Sequence, residues 1–475
     1  MKRLTAMALW LAFAVTLILS LTASAQAQPI RTGTLSDGAT YLIEVPPSWN
    51  GTLFLYSHGY VVPGSPNPAQ DVGDPATRAF LLANGYALAG SSYATTGWAI
   101  HEALPDQIAV LDQFATSFGH PQRTIAWGHS LGGMVTAGLI QRYPDRFDAA
   151  LPMCGVLSGG VATWNTGLDG AFAFKTLVAP NSPLQVVHIT DPRGNLVLAE
   201  QLLAAAQQTP QGRARIALGA ALADVPGWFT PLSLEPAAAD TTGEETNQFL
   251  WDSQVDFPFG FAFRAELEAR AGGNVSWNTQ VNYRKQLALS ADRGEVVALY
   301  QAAGLDLDAD LQTLNDTPRI EADTDAVEYL KQNIVYDGEI RVPVLTMHTT
   351  GDGLVEFENE SAYRDVVDEA GHQRLLRQIF VHRAGHCAFT PAETLTAVQN
   401  LITRLDTGKW PNLDDEGLNA EAASLGSALN IFAVQNQVVP TSPAFVDVHP
   451  KQFLRPFDAQ DHEFDFFHEH LFHEQ

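Results

Sequence analysis

Gly128-His-Ser-Leu-Gly132 is the stretch on which the fold turns. A serine at the tip of a tight strand-to-helix turn needs glycine two positions away on each side, because the backbone there is strained and crowded. The pattern marks Ser130 as a nucleophile if a strand precedes it and a helix follows. Residues 123–127, Arg-Thr-Ile-Ala-Trp, have strand character, and residues 131–142 carry a helical period that Pro144 stops. Gly133 lets the helix start pack closely under a sheet, and the helix N-terminus brings free amides and a positive dipole end beside the serine.

Working outward, residues 33–46 read as short strands around the turn Ser36-Asp37-Gly38. Residues 52–57 and 86–92 read as buried strands, with helices at 75–83 and 101–118, and another strand follows at 147–152. This alternation predicts a mostly parallel sheet with helices on both faces. It breaks after Gly155. Up to about residue 339 the chain shows helical periods at 196–207, 214–224, 263–271 and 294–303, separated by joints rich in Pro and Gly. The rhythm then resumes with strands at 342–348 and 375–381 and helices at 359–370 and 391–405. The expected organisation is a core over residues 28–155 and 341–406, a mainly helical cap insertion over 156–340, and a C-terminal extension over 407–475.

The 475 residues are 46% hydrophobic and 17% charged, which supports a large buried core. Fifty-three acidic against 27 basic residues give a net charge of −26, a field that repels phosphate backbones and anionic lipid, so nucleic acid is excluded as a partner. Lys2 and Arg3, an apolar run over 6–21 and the small residues Ala23-Ser-Ala-Gln-Ala27 have the order of a secretory signal peptide over residues 1–27. The alternative is an uncleaved anchor. The expectation is a secreted or periplasmic protein with no membrane partner after cleavage.

Acyl transfer needs donors aimed at an oxyanion. The Leu131 amide is one, and the Tyr60 amide is the second, because His58-Gly59-Tyr60 ends the strand at 52–57. In folds built on such an elbow, the acid and the histidine follow the serine in that order, each in a loop after a later strand. Asp352, in Thr349-Thr-Gly-Asp-Gly-Leu-Val355, is the acid. Glu356 and Glu358 compete with it but stand at a helix entry, where carboxylates are favoured anyway. His386, after Gly385, is the base; His382 lies nearer the strand, and His348 precedes the acid. The aromatic residues Tyr60, Tyr93, Trp98 and Trp164 fall in loops where they can wall a pocket or simply pack.

The elbow, Asp352, Gly385-His386 and His58-Gly59 together resemble the α/β-hydrolase superfamily. The resemblance implies an eight-stranded, mostly parallel sheet with a variable cap inserted after the sixth strand. The cysteine beside His386 is similar to that of tannases and feruloyl esterases, where a disulfide ties the histidine loop to the residue before the nucleophile. Here that residue is His129, and Cys154 is the sole other cysteine. The choice lies between a Cys154–Cys387 bridge and two buried thiols.

The expected activity is hydrolysis of small-molecule or polymeric carboxylic esters through a Ser-His-Asp triad and an acyl-enzyme. A serine peptidase is the alternative, with Glu266 or Glu268 receiving an α-amino group; a non-catalytic binding protein is the third reading. No cofactor is expected, since dinucleotide and phosphate-loop motifs are missing from the sequence. No metal is required, and His468-Glu-His470-Leu-Phe-His473 reads as a solvated tail more readily than as a metal site.

Overall fold

A computed structural model describes residues 29–434 and 437–455. The expected signal peptide and the acidic end with His468, His470 and His473 lie outside the described residues. The principal sheet has nine strands: β1 (Ile30–Thr34), β2 (Thr40–Glu44), β3 (Thr52–Ser57), β4 (Ala87–Ser91), β5 (Arg123–His129), β6 (Ala149–Met153), β7 (Val344–Gly351), β8 (Leu376–Ala384) and β11 (Phe445–Val446). Strands β9 (Ile431–Val434) and β10 (Gln437–Pro440) form a separate hairpin. The order across the sheet is β1-β2-β4-β3-β5-β6-β7-β8-β11. β1, β2 and β11 pair antiparallel with their neighbours, and every other pairing is parallel. The ninth strand comes from the C-terminal extension, which adds Phe445 and Val446 opposite Val381 and Phe380.

Continuous apolar runs make these central strands, because both faces of the sheet are covered. Every residue of β3 is buried, and its side chains alternate between two cores. Leu53 and Leu55 join Ala126, Ala150 and Val344 under the helices Ile100–Phe118 and Leu131–Arg142. Phe54 and Tyr56 join Trp127, Leu151 and Met347 under the helices Pro75–Ala83 and Pro391–Thr407. Between β6 and β7 the described chain is helical, with its own apolar clusters, one of them around Phe172, Leu218 and Tyr300.

Order reversal at β3, which has β4 on one side and β5 on the other, opens a crevice at the carboxyl ends of the strands. The helix Leu131–Arg142 enters there with no room to spare. A β-carbon on Gly132 would lie 2.7 Å from the His58 carbonyl oxygen and nearer still to that of Ser57; one on Gly128 would lie 2.5 Å from the Ser57 oxygen. Both clashes are with backbone and cannot be relieved by a rotamer. Gly132→Ala is therefore expected to abolish accumulation of folded protein or to lower the thermal midpoint by many degrees. Gly294→Ala, in open space on a cap helix, should leave the midpoint unchanged or slightly raised. Equal midpoints for the two variants would refute the close-packed elbow.

Candidate active site

Ser130 follows β5 and caps the next helix with φ 59° and ψ −127°, a left-handed conformation costly for any residue but glycine. The strain is held by neighbours. The Ser130 amide donates to the Met153 carbonyl at 3.0 Å, and the amides of Gly133 and Met134 donate to the Ser130 carbonyl. Gly59 passes so close that a β-carbon there would sit 3.2 Å from Ser130 Cβ. The amides of Leu131 and Tyr60 find no acceptor among the described residues, and both residues line a cavity together with Ser130.

Asp352 follows β7 in a turn closed on its own carboxylate: Oδ1 accepts from the amides of Leu354 and Val355, each at 3.1 Å. Oδ2 lies 2.7 Å from His386 Nδ1. Burial alone would raise the Asp352 pKa. The charge of His386, the nearby His348 ring and the hydrogen bond from His386 outweigh it and hold the carboxyl well below its ordinary range. With Nδ1–H donated to Asp352, Nε2 of the His386 ring is the nitrogen free to act as base; it lies 3.4 Å from Cys387 Sγ. No hydrogen bond joins it to Ser130 Oγ among the described residues, and in unliganded sites such bonds are often long. His129, beside the serine, is driven down to about 4 by burial and by His386, so it stays neutral and does not compete for charge.

The loop carrying His386 is stapled at three points. Cys387 forms a disulfide with Cys154, across 5.4 Å between Cα atoms, and Cys154 directly follows the carbonyl that holds the Ser130 amide. The Gly385 amide donates to the Gly351 carbonyl at 2.8 Å, and Thr349 Oγ1 donates to the Gly385 carbonyl at 2.8 Å. Beneath the loop the buried Arg383 guanidinium grips Glu393 with two hydrogen bonds, at 2.6 and 2.9 Å, and Glu393 completes a capping box with Thr390.

Other sequence candidates lie elsewhere. Glu356 and Glu358 make no bond to His386. Glu356 lines the cavity, and Glu358 lies against Asp224, burial raising its carboxyl above the ordinary range. His382 faces outward, bonded to Glu235 and Thr350. Glu266 is engaged by Arg270 and the Trp98 amide, and Glu268 by Arg264 and the Ile189 amide. His348 departs from the sequence argument: its Nε2 stands 3.6 Å from Asp352 Oδ2, within the site.

The cavity in front of Ser130 encloses about 1080 Å³ of empty space, its open mouth included. Trp98 and Trp164, edge to face at 5.5 Å, form part of the wall, and Tyr60 packs on Phe259 at 5.0 Å. Tyr93 instead stacks on His58 at 3.9 Å. The cap side carries Asp252 and Asp256 on a π-helical segment, Asp252–Asp256, that the sequence periodicity did not reveal. Asp256 Oδ2 has no hydrogen-bond partner among the described residues.

Fold and site together define a serine hydrolase of the α/β-hydrolase superfamily. The sequence pattern of the prolyl oligopeptidase family matches residues 92–167, which span the nucleophile elbow. Across nearly its whole length the chain belongs to the family of the o-phthalyl amidase of Xanthobacter agilis, with 31% identity over 443 residues, 86% of this chain and 94% of that one. Among solved structures, an Aspergillus oryzae esterase aligns with 87% of this chain and 83% of its own, at 13% identity and a TM-score of 0.41. The Pyrococcus horikoshii acylaminoacyl peptidase aligns with 82% of this chain and 44% of its own, at 9% identity and a TM-score of 0.38.

Two outcomes follow from the buried groups and the staple. Burial pushes Glu356 up to about 8, Glu295 to about 9 and Asp292 to about 7, with neighbouring carboxylates adding to all three shifts. A carboxyl that holds its proton more tightly when folded loses stability as pH rises from its unfolded value to its folded one. Asp352, depressed, acts oppositely and loses its contribution only below the ordinary carboxylate range. The thermal midpoint should therefore be highest in mild acid and fall steadily from pH 5 to 9; a midpoint that rises over that interval would contradict the assignment. Cys387→Ser should lower stability by about 2–4 kcal/mol in denaturant titration and reduce turnover more than KM suffers, because the histidine loop loses its tie to β6.

Proposed function

We propose that the protein hydrolyses carboxylic esters and amides of aromatic acyl groups through an acyl-enzyme on Ser130. The observation that carries this reading is the 2.7 Å bond from His386 Nδ1 to buried Asp352, set beside a strained serine at the mouth of an aromatic-walled cavity. His386 Nε2 takes the Ser130 proton as Oγ attacks the carbonyl, and Asp352 holds the tautomer and stabilises the imidazolium without taking the proton. The amides of Leu131 and Tyr60 receive the oxyanion. The imidazolium then protonates the departing alcohol or amine, and water repeats the sequence to free Ser130.

The relative that is an o-phthalyl amidase supports amide as well as ester bonds and an aromatic acyl group. The tryptophan walls suit a flat ring. For a peptidase acting on a free N-terminus, the glutamates that would receive the amine are already committed to Arg270 and Arg264, so the ester and amide reading is preferred. The basic-apolar leader and the Cys154–Cys387 bond support export to an oxidising compartment.

Ser130→Ala should lower hydrolysis of p-nitrophenyl benzoate and of benzoyl anilides by at least about 10³-fold while the thermal midpoint stays within a degree or two. A fluorophosphonate probe should label the parent protein and not the variant. Retained hydrolysis in the variant would remove Ser130 as the nucleophile. Turnover of aminoacyl anilides with no activity on benzoyl substrates would favour the peptidase reading instead.

A further inference from the structure

His348 points inward from β7, with its side chain fully buried, and faces three acceptors. Nε2 lies 2.9 Å from the Val355 carbonyl oxygen and 3.6 Å from Asp352 Oδ2, and Nδ1 lies 3.1 Å from Glu360 Oε1. A carbonyl can only accept, so Nε2 carries a hydrogen. Glu360 Oε2 already receives Thr346 Oγ1 and, at 2.5 Å, Gln378 Nε2. Two donors on one oxygen favour the ionised carboxylate, whose Oε1 then accepts from Nδ1. Both ring nitrogens are protonated in this arrangement: an imidazolium enclosed between Glu360 and Asp352. Burial opposes that charge, but the two carboxylates override it and raise the group to about 10.

The placement matters because His348 reaches the same oxygen that His386 uses. It also bonds the Val355 carbonyl, while the Val355 amide bonds Asp352 Oδ1. The turn bearing the acid is thus held from β7 through one side chain. We propose that His348, braced by Glu360, is a positioning residue for the reaction: it fixes the Asp352 turn and moderates the negative charge that Asp352 presents to His386. This rests on the assignment of Ser130, His386 and Asp352 above. Other titratable groups facing this limb are Glu356 and Asp256, which feel the Asp352 charge from the following turn and from the cap, and Tyr363, which feels Glu360 on its own helix.

Removing the imidazolium leaves Asp352 acting on His386 unopposed, so His386 should hold its proton to higher pH. In both His348→Gln and Glu360→Gln, the acid limb of the kcat/KM profile on p-nitrophenyl benzoate should move up by about half a pH unit or more. At pH 7, kcat should fall roughly tenfold, with KM nearly unchanged. A purely structural role predicts an equal loss at every pH with the limb in place, and that result would overturn the proposal. Should either variant fail to fold, nitrogen NMR of the parent protein labelled at histidine decides: His348 is expected with both ring nitrogens protonated at pH 7 to 9, and a neutral ring there would refute it. Failure of the underlying triad reads out separately, as hydrolysis retained in Ser130→Ala.

Discussion

Gly132 lies so close to the Ser57 and His58 carbonyls that a β-carbon cannot be accommodated, and the reactive centre depends on that contact. It sets the helix Leu131–Arg142 directly on the end of β3. It thereby forces Ser130 into its left-handed conformation and brings the Gly59–Tyr60 backbone past the hydroxyl. The strain needs a rigid frame to persist. The frame is the fully buried centre of the sheet, where β3, β5 and β6 pair in parallel register and the Met153 carbonyl fastens the Ser130 amide. A looser core would let the turn relax and the hydroxyl withdraw.

Charge is arranged as strictly as the backbone. From Glu360 through His348 and Asp352 to His386, acidic side chains and imidazoles alternate from the buried Glu360 to the partly exposed His386. A lone ionised carboxylate at the depth of Asp352 would be expensive and would tend to protonate. Two imidazoles and two backbone amides remove that tendency. On the cap side Asp256 Oδ2 lacks such partners among the described residues, and burial raises that carboxyl well above the ordinary carboxylate range.

Much of this was legible from the chain because the central strands are short apolar runs and the site residues sit at their ends. Strand β3 and the helices Pro75–Ala83 and Leu131–Arg142 fall where periodicity puts them. The serine, acid and histidine positions were reached from chain order, and the structure brings Asp352 and His386 into hydrogen-bond contact. The long cap helix Gly159–Leu177 escaped notice because it is buried nearly all round and carries Gly159, Gly160, Gly167 and Gly170, so it has no polar stripe to reveal a period. The π-helical segments and β11 escaped for different reasons. A five-residue turn leaves no 3.6-residue signature, and a two-residue edge strand leaves no alternation. Chain order gives His348 no role as a base, and its contact with Asp352 is a matter of tertiary packing, which sequence position does not express.

The disulfide gains meaning from where it falls in the chain. Cys154 precedes the whole cap insertion and Cys387 follows both the insertion and the acid-bearing strand, 233 residues later. The bond thus closes a loop that contains the cap, β7 and β8, and it does so at the floor of the site instead of at the cap's own surface. The distance between the nucleophile strand ends and the histidine loop is then set without reference to how the cap packs. Cap helices can differ in composition, carry irregular π-helical turns and hold partnerless carboxyls while the reacting groups keep their spacing. Separating the two tasks in this way lets one catalytic floor serve beneath a wall whose chemistry is free to follow the substrate.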